Sequence, residues 1–154
     1  GQFKVREVWV DLAKVCASDE LGLLRPALDY LHYAKRHNAA FDDHPNAARC
    51  ELVAAHIHAA QGNASEAAQS VLRAQRIWSV SPQCAGGRCA TAADWADSCR
   101  ALYSFLMDKG DSAEAERVLQ EAYQTLAQRL AVASSSDPAD RETSGEPERV
   151  AAGA

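Results

Sequence analysis

An all-α fold, an α-solenoid of three antiparallel helical hairpins, is the architecture this sequence predicts, and three observations predict it. The first is a run that occurs twice. Gly62-Asn63-Ala64-Ser65-Glu66-Ala67 leads, at spacings of four and three, to Val71 and Ala74, and Gly110-Asp111-Ser112-Ala113-Glu114-Ala115 leads at the same spacings to Leu119 and Ala122. Glycine takes the left-handed conformation that ends one helix, Asn63 or Asp111 caps the next, and a glutamate three residues on completes a capping box. Each run is therefore a tight turn between two helices. The second observation is composition: 47% of residues are apolar but alanine dominates them, and aromatics are only 6%, which suits closely packed helices better than sheets. The third is an apolar spacing of three and four along most of the chain.

The first helix is marked by Val5, Val8, Trp9, Leu12, Val15 and Cys16 and should end near Gly22. Pro26 suits the first turn of the second helix, where a missing N–H costs nothing, and Ala27, Leu28, Leu31 and Ala34 form its buried stripe. That helix is expected to fade around Asn38, leaving Asn38 to His44 as a connector. Pro45 starts the third helix, with Asp42 and Asp43 on the side the helix dipole favours; Cys50, Val53, Ala54, Ile57 and Ala60 form its buried side. The fourth helix, from about Ala64 to Val80, buries Ala67, Ala68, Val71, Leu72, Ala74, Ile77 and Trp78, and Ser81-Pro82 ends it. A loop from Ser79 to Ala90 follows. Thr91 and Asp94 stand in capping-box relation at the start of the fifth helix, which runs through Trp95, Cys99, Leu102, Phe105 and Leu106 to Lys109. The sixth helix presents Ala115, Val118, Leu119, Ala122, Tyr123, Leu126 and Leu130 and fades near Ala133. Residues 134 to 154 are almost without large apolar side chains, so the chain divides into an array over 1 to 133 and a disordered acidic tail over 134 to 154.

A length of 154 residues holds one array with enough chain to bury a core. The formal net charge is -5, and the tail holds five acids against Arg141 and Arg149, which leaves -2 for the array. So near-neutral a body gives no electrostatic reason to bind nucleic acid or a membrane surface, and Lys35-Arg36-His37 falls at a helix end, where positive charge complements the dipole. No run approaches the about eighteen apolar residues of a membrane span. The chain begins at Gly1, and a segment of a longer protein is the expectation. Among its five cysteines, Cys16, Cys50 and Cys99 sit in apolar helical surroundings. Thiols so placed serve as small hydrophobes, and a reducing, cytoplasmic setting is the simpler inference.

Aligned hairpins carry a family pattern. Trp9-x2-Leu12-Ala13-x2-Cys16 with Ala27-x3-Leu31-x2-Ala34 resembles the two halves of a tetratricopeptide repeat (TPR). So do Ala54-Ala55-x2-His58-x3-Gly62 before Ala67, Val71 and Ala74, and Leu102-Tyr103-x2-Leu106-x3-Gly110 before Ala115, Leu119 and Ala122. The aromatic that opens the first helix is kept as Trp9 and replaced by Glu51 and Cys99. These starts lie 42 and 48 residues apart, longer than the ordinary repeat, and Asp43-His44-Pro45 is similar to the inter-repeat link of the long-repeat, kinesin-light-chain type. The resemblance implies a concave groove lined by the first helix of each hairpin, through Val10, Lys14, Leu52, His56, Arg100 and Ser104, with Arg73 and Arg117 on the outer side. A protein or peptide segment would lie there. The positions matching the carboxylate clamp of chaperone-binding members hold Val10, Lys14, Val53, Asp97 and Ala101, so a cochaperone role is not expected. Extended repeats of this type also imply a second reading, a structural segment of a larger cytoskeletal or ciliary scaffold whose hairpins stack on further repeats.

Little else suggests chemistry. Cys84 and Cys89, with four residues between them on a glycine-rich loop, can share a metal or close a small disulfide. Zinc needs two further ligands that no second cysteine pair or spaced histidine pair supplies. The loop is therefore expected to be inert, with a redox or metal-responsive regulator as the alternative. His56 and His58 point about 200° apart on a helix and cannot share an ion. No phosphate loop, nucleophile elbow or His-Glu-x-x-His motif occurs. The expectation is a protein-protein interaction module that is not an enzyme and needs no metal or cofactor.

Overall fold

Caps and left-handed residues set the helix boundaries. The structure, a computed structural model, describes residues 5–135. Among them it holds six α-helices, α1 (Val5–Cys16), α2 (Leu24–Phe41), α3 (His44–Ala60), α4 (Ala64–Val80), α5 (Ala92–Lys109) and α6 (Ser112–Ser135), a 3-10 helix at Pro82–Gly87, and no strand. The expected tail lies outside the described residues apart from its first two, which continue α6.

The two repeated turns close in the same way. Gly62 (φ 78°) and Gly110 (φ 89°) are left-handed, and the next residue's N–H reaches back to a carbonyl of the preceding helix, Asn63 to His58 at 2.8 Å and Asp111 to Leu106 at 2.9 Å. The side chains of Asn63 and Asp111 then accept from the backbone N–H of Glu66 and Glu114. The return half of the capping box forms at Thr91 and Asp94; Glu66 and Glu114 instead turn to Arg73 and Arg117.

Helix α2 runs three residues past the expected end at Asn38. Asp42 is left-handed (φ 54°) and Asp43 donates to the Asn38 carbonyl at 2.9 Å, the same closure without a glycine. The connector shrinks to Asp42 and Asp43. Inside the corner, Asn46 Nδ2 donates to Asn38 Oδ1 at 2.8 Å and to the Arg6 carbonyl at 3.1 Å, while Arg6 Nε reaches Asp43 Oδ2 at 2.6 Å. A polar residue that suggested a helix end is thus a buried link between helices. The loop after α4 differs too, because Pro82 and the Ser81 side chain, which accepts from the Gln83 N–H, cap a 3-10 helix there.

Each helix from α1 to α4 packs on the next, and α1 also touches α3. One apolar cluster joins α1, α2 and α3 through Val10, Ala13, Leu31, Ala34, Cys50 and Ile57. A second joins α3, α4, α5 and the start of α6 through Ala55, Ala67, Val71, Leu102, Phe105 and Ala115. A third gathers Ala48, Ala74, Trp78, Cys84 and Ala90 under the 3-10 helix. Because α1 meets two neighbours, its buried residues are Val10 and Ala13, while Val5, Leu12 and Val15 of the expected stripe are exposed. Contacts divide the chain after Leu119. The unit from Gln120 onward is, in its described part, the rest of α6, where Ala122 is buried and Tyr123 and Leu130, expected to be buried, are exposed. Leu119, at the end of the first unit, is exposed as well. No helix among the described residues is long and apolar enough to cross a membrane.

Candidate functional site

Helices α1, α3 and α5 line a cleft of about 620 Å3, to which α1 contributes Glu7, α3 contributes Leu52, Ala55 and His56, and α5 contributes Asp97, Ala101 and Phe105. Helix α4 supplies Val71 and Trp78, and the segment after the 3-10 helix supplies Cys89. Small residues at Ala55 and Ala101 keep the space open, since a longer side chain at either would project into it.

Charge stands along the sides of the cleft. Asp43 accepts from the Asn46 N–H at the start of α3 and from Arg6. Arg49 is held by Asp11, and Arg100 by Asp97. Asp94 is fixed at the start of α5, where its carboxylate accepts from the Thr91 N–H at 2.9 Å. The lining thus carries four acids, Glu7, Asp43, Asp94 and Asp97, against Arg49 and His56.

One end of the cleft is a braced corner. Cys84 and Cys89, expected to be inert, form a disulfide. The segment it closes is tied to the α2–α3 turn: Ser81 Oγ meets His44 Nδ1 at 2.6 Å, Gln83 Nε2 donates to the Asp42 carbonyl at 2.7 Å, and the His44 N–H donates to Gln83 Oε1. Trp78 and Trp95 pack beside it with centroids 6.3 Å apart. Cys16, Cys50 and Cys99, the cysteines behind the expected reducing setting, are free thiols.

Of the six residues expected to line a groove, Leu52 and His56 do so. Lys14, Arg100 and Ser104 are exposed but lie outside the lining. Val10 is fully buried in the first cluster, because α3 covers the side of α1 that was expected to be open. On α5 the lining positions are Asp94, Asp97, Ser98, Ala101 and Phe105, and Ala101 and Phe105 stand one residue beyond Arg100 and Ser104, the repeat-equivalents of Leu52 and His56. Asp94, Asp97 and Glu7 were not among the expected lining residues: Asp94 was read as the capping-box acid of α5 and Asp97 as a clamp position without a basic side chain.

Titration behaviour is perturbed away from the cleft. Burial pushes the Cys50 thiol up to about 12. Burial of the Arg73 guanidinium works against its charge, yet hydrogen bonds to Glu51 and Glu66 outweigh it and raise the value. The Arg117 hydrogen bond lowers that of Glu114. Among the described residues, no group of three or more His, Cys, Asp or Glu side chains is arranged to hold a metal ion. No family model matches the chain, and neither a curated protein nor a solved structure matches it.

Proposed function

We propose that the chain is a non-catalytic interaction module, a TPR-like α-solenoid that takes a protein or peptide segment in the cleft between its inner helices. The observation that supports this is that residues from α1, α3 and α5, the first helix of each hairpin, line one cleft with an apolar centre. Clefts of about 300–1,000 Å3 with an apolar centre admit inserted side chains of a partner. Ala101→Trp should fill the cleft. Proteins captured from a lysate by the native chain and lost from the Ala101→Trp chain, identified by mass spectrometry, would support the reading; an unchanged set would overturn it. A second reading, a stacking segment of a larger scaffold, draws on exposed Leu119, Tyr123 and Leu130 of α6, an apolar row of the kind that neighbouring hairpins cover.

A further inference from the structure

We propose that the segment accepted by this cleft is cationic, with lysine or arginine beside an aromatic or branched aliphatic anchor. This inference rests on the cleft reading above and adds the chemistry of the partner. The expected groove, through Lys14 and Arg100, would have favoured an acidic partner. The arrangement of side chains reverses that preference. Lys14 is outside the lining, and Arg100 is engaged by Asp97. Arg49, the one arginine in the lining, is engaged by Asp11. The acids of the lining are Glu7 of α1, Asp43 of the turn before α3, which is paired with Arg6, and Asp94 and Asp97 of α5, so they outnumber the cations of the lining and lie on two helices and a turn. The Asp97 carboxylate remains 66% exposed in its pair with Arg100, open to a second cation.

The two kinds of lining divide the work. Leu52 and Ala101, both half-buried, offer apolar contact above a floor of buried Ala55, Val71 and Phe105, and the small alanines leave room for an anchor side chain. Removal of that anchor from water supplies affinity, whereas the exposed carboxylates of Asp94 and Asp97 supply selection and faster encounter and are screened by salt. A segment with acids beside the same anchor would meet like charge along α5.

A random peptide library displayed on phage, panned on the full chain and counter-selected on the Ala101→Trp chain, tests this. Where Ala101→Trp does not fold by circular dichroism, His56→Trp, exposed and lining the same cleft, takes its place. Selected peptides are expected to carry Lys or Arg beside Trp, Phe, Leu or Ile. Their dissociation constants, from titration calorimetry, should rise about three- to ten-fold with Asp97→Lys and again on moving from low to high salt. Acidic or uncharged peptides that the tryptophan variant still excludes would overturn the cationic partner and leave the cleft reading standing. Peptides indifferent to the tryptophan, or no enrichment at all, would overturn both.

Discussion

Glu51 stands where the repeat resemblance places an aromatic, and its carboxylate joins three helices. It is 3.6 Å from Lys35 Nζ of α2 and 3.1 Å from Arg73 Nε of α4, with only 13% of its side chain exposed. Arg73 also reaches Glu66 at 3.2 Å and the buried Ser70 hydroxyl at 3.0 Å. It is therefore a cross-link and not the dispensable outer-face charge that repeat position suggested. Arg73→Glu would set a carboxylate against Glu51 and Glu66, and we expect a loss of about 1–3 kcal/mol in urea unfolding, larger than for Arg117→Glu, whose partner Glu114 lies one turn away on the same helix. Cys50 makes a second prediction. Its thiol is held protonated up to about 12 against an ordinary value of 9.0, so below pH 9 both folded and unfolded states keep the proton and its contribution is complete. Between those limits only the unfolded chain releases it, and stability should fall as pH rises, by up to about 1.4 kcal/mol per pH unit. Cys50→Ala should flatten that alkaline limb of the stability curve, and an equally steep limb in the variant would show that another group causes it.

At the scale of the helices, alanine fixes how closely neighbours approach. Ala67 and Ala115 are completely buried while Ala113 is exposed, so leucine should cost on the order of 1–3 kcal/mol at the first two and little at the third. Equal melting temperatures for Ala113→Leu and Ala115→Leu would refute that packing. The turns differ in how well their residues suit left-handed backbone. Gly110→Ala should cost about 1 kcal/mol, whereas Asp42→Gly removes a side chain from the same conformation and should cost less, even though it gives up the 2.9 Å contact of Asp42 with His44. The Cys84–Cys89 bridge closes a short loop, for which loop-closure entropy gives about 2 kcal/mol. Dithiothreitol should lower the melting temperature by several degrees in the native chain and leave a Cys84→Ala/Cys89→Ala chain unaffected.

Across the first unit, stability is divided between clusters that share α3. Leu31 anchors the α1–α2–α3 cluster, and Leu102 the one formed by α3, α4, α5 and the start of α6. Where each helix touches chiefly its neighbours, a local defect raises local opening before global unfolding. Leu31→Ala should therefore speed amide exchange in α1 and α2 well before α5, and Leu102→Ala the reverse. Uniform acceleration in both variants would mean that the unit opens as one.

Much of this was legible in the residues themselves because it is local. Helical spacing, the glycines at 62 and 110, and the caps at Asn63, Thr91 and Asp111 act within a few residues, so they marked the helices and their turns directly. What lay beyond reach depended on which neighbour covers which face. Val10 is buried because α3 lies against α1, Asn38 continues a helix because Asn46 meets it in the corner, and Leu119, Tyr123 and Leu130 are exposed despite apolar spacing. The cleft shows the same division. The expected lining lay on α1, α3 and α5, but which residues of α5 border the cleft, Asp97 and Ala101 instead of Arg100 and Ser104, depends on how that helix packs, and with it the sign of the cleft's charge. Periodicity records that a helix has an apolar side; only packing against other helices settles which side that is and what remains open to a partner.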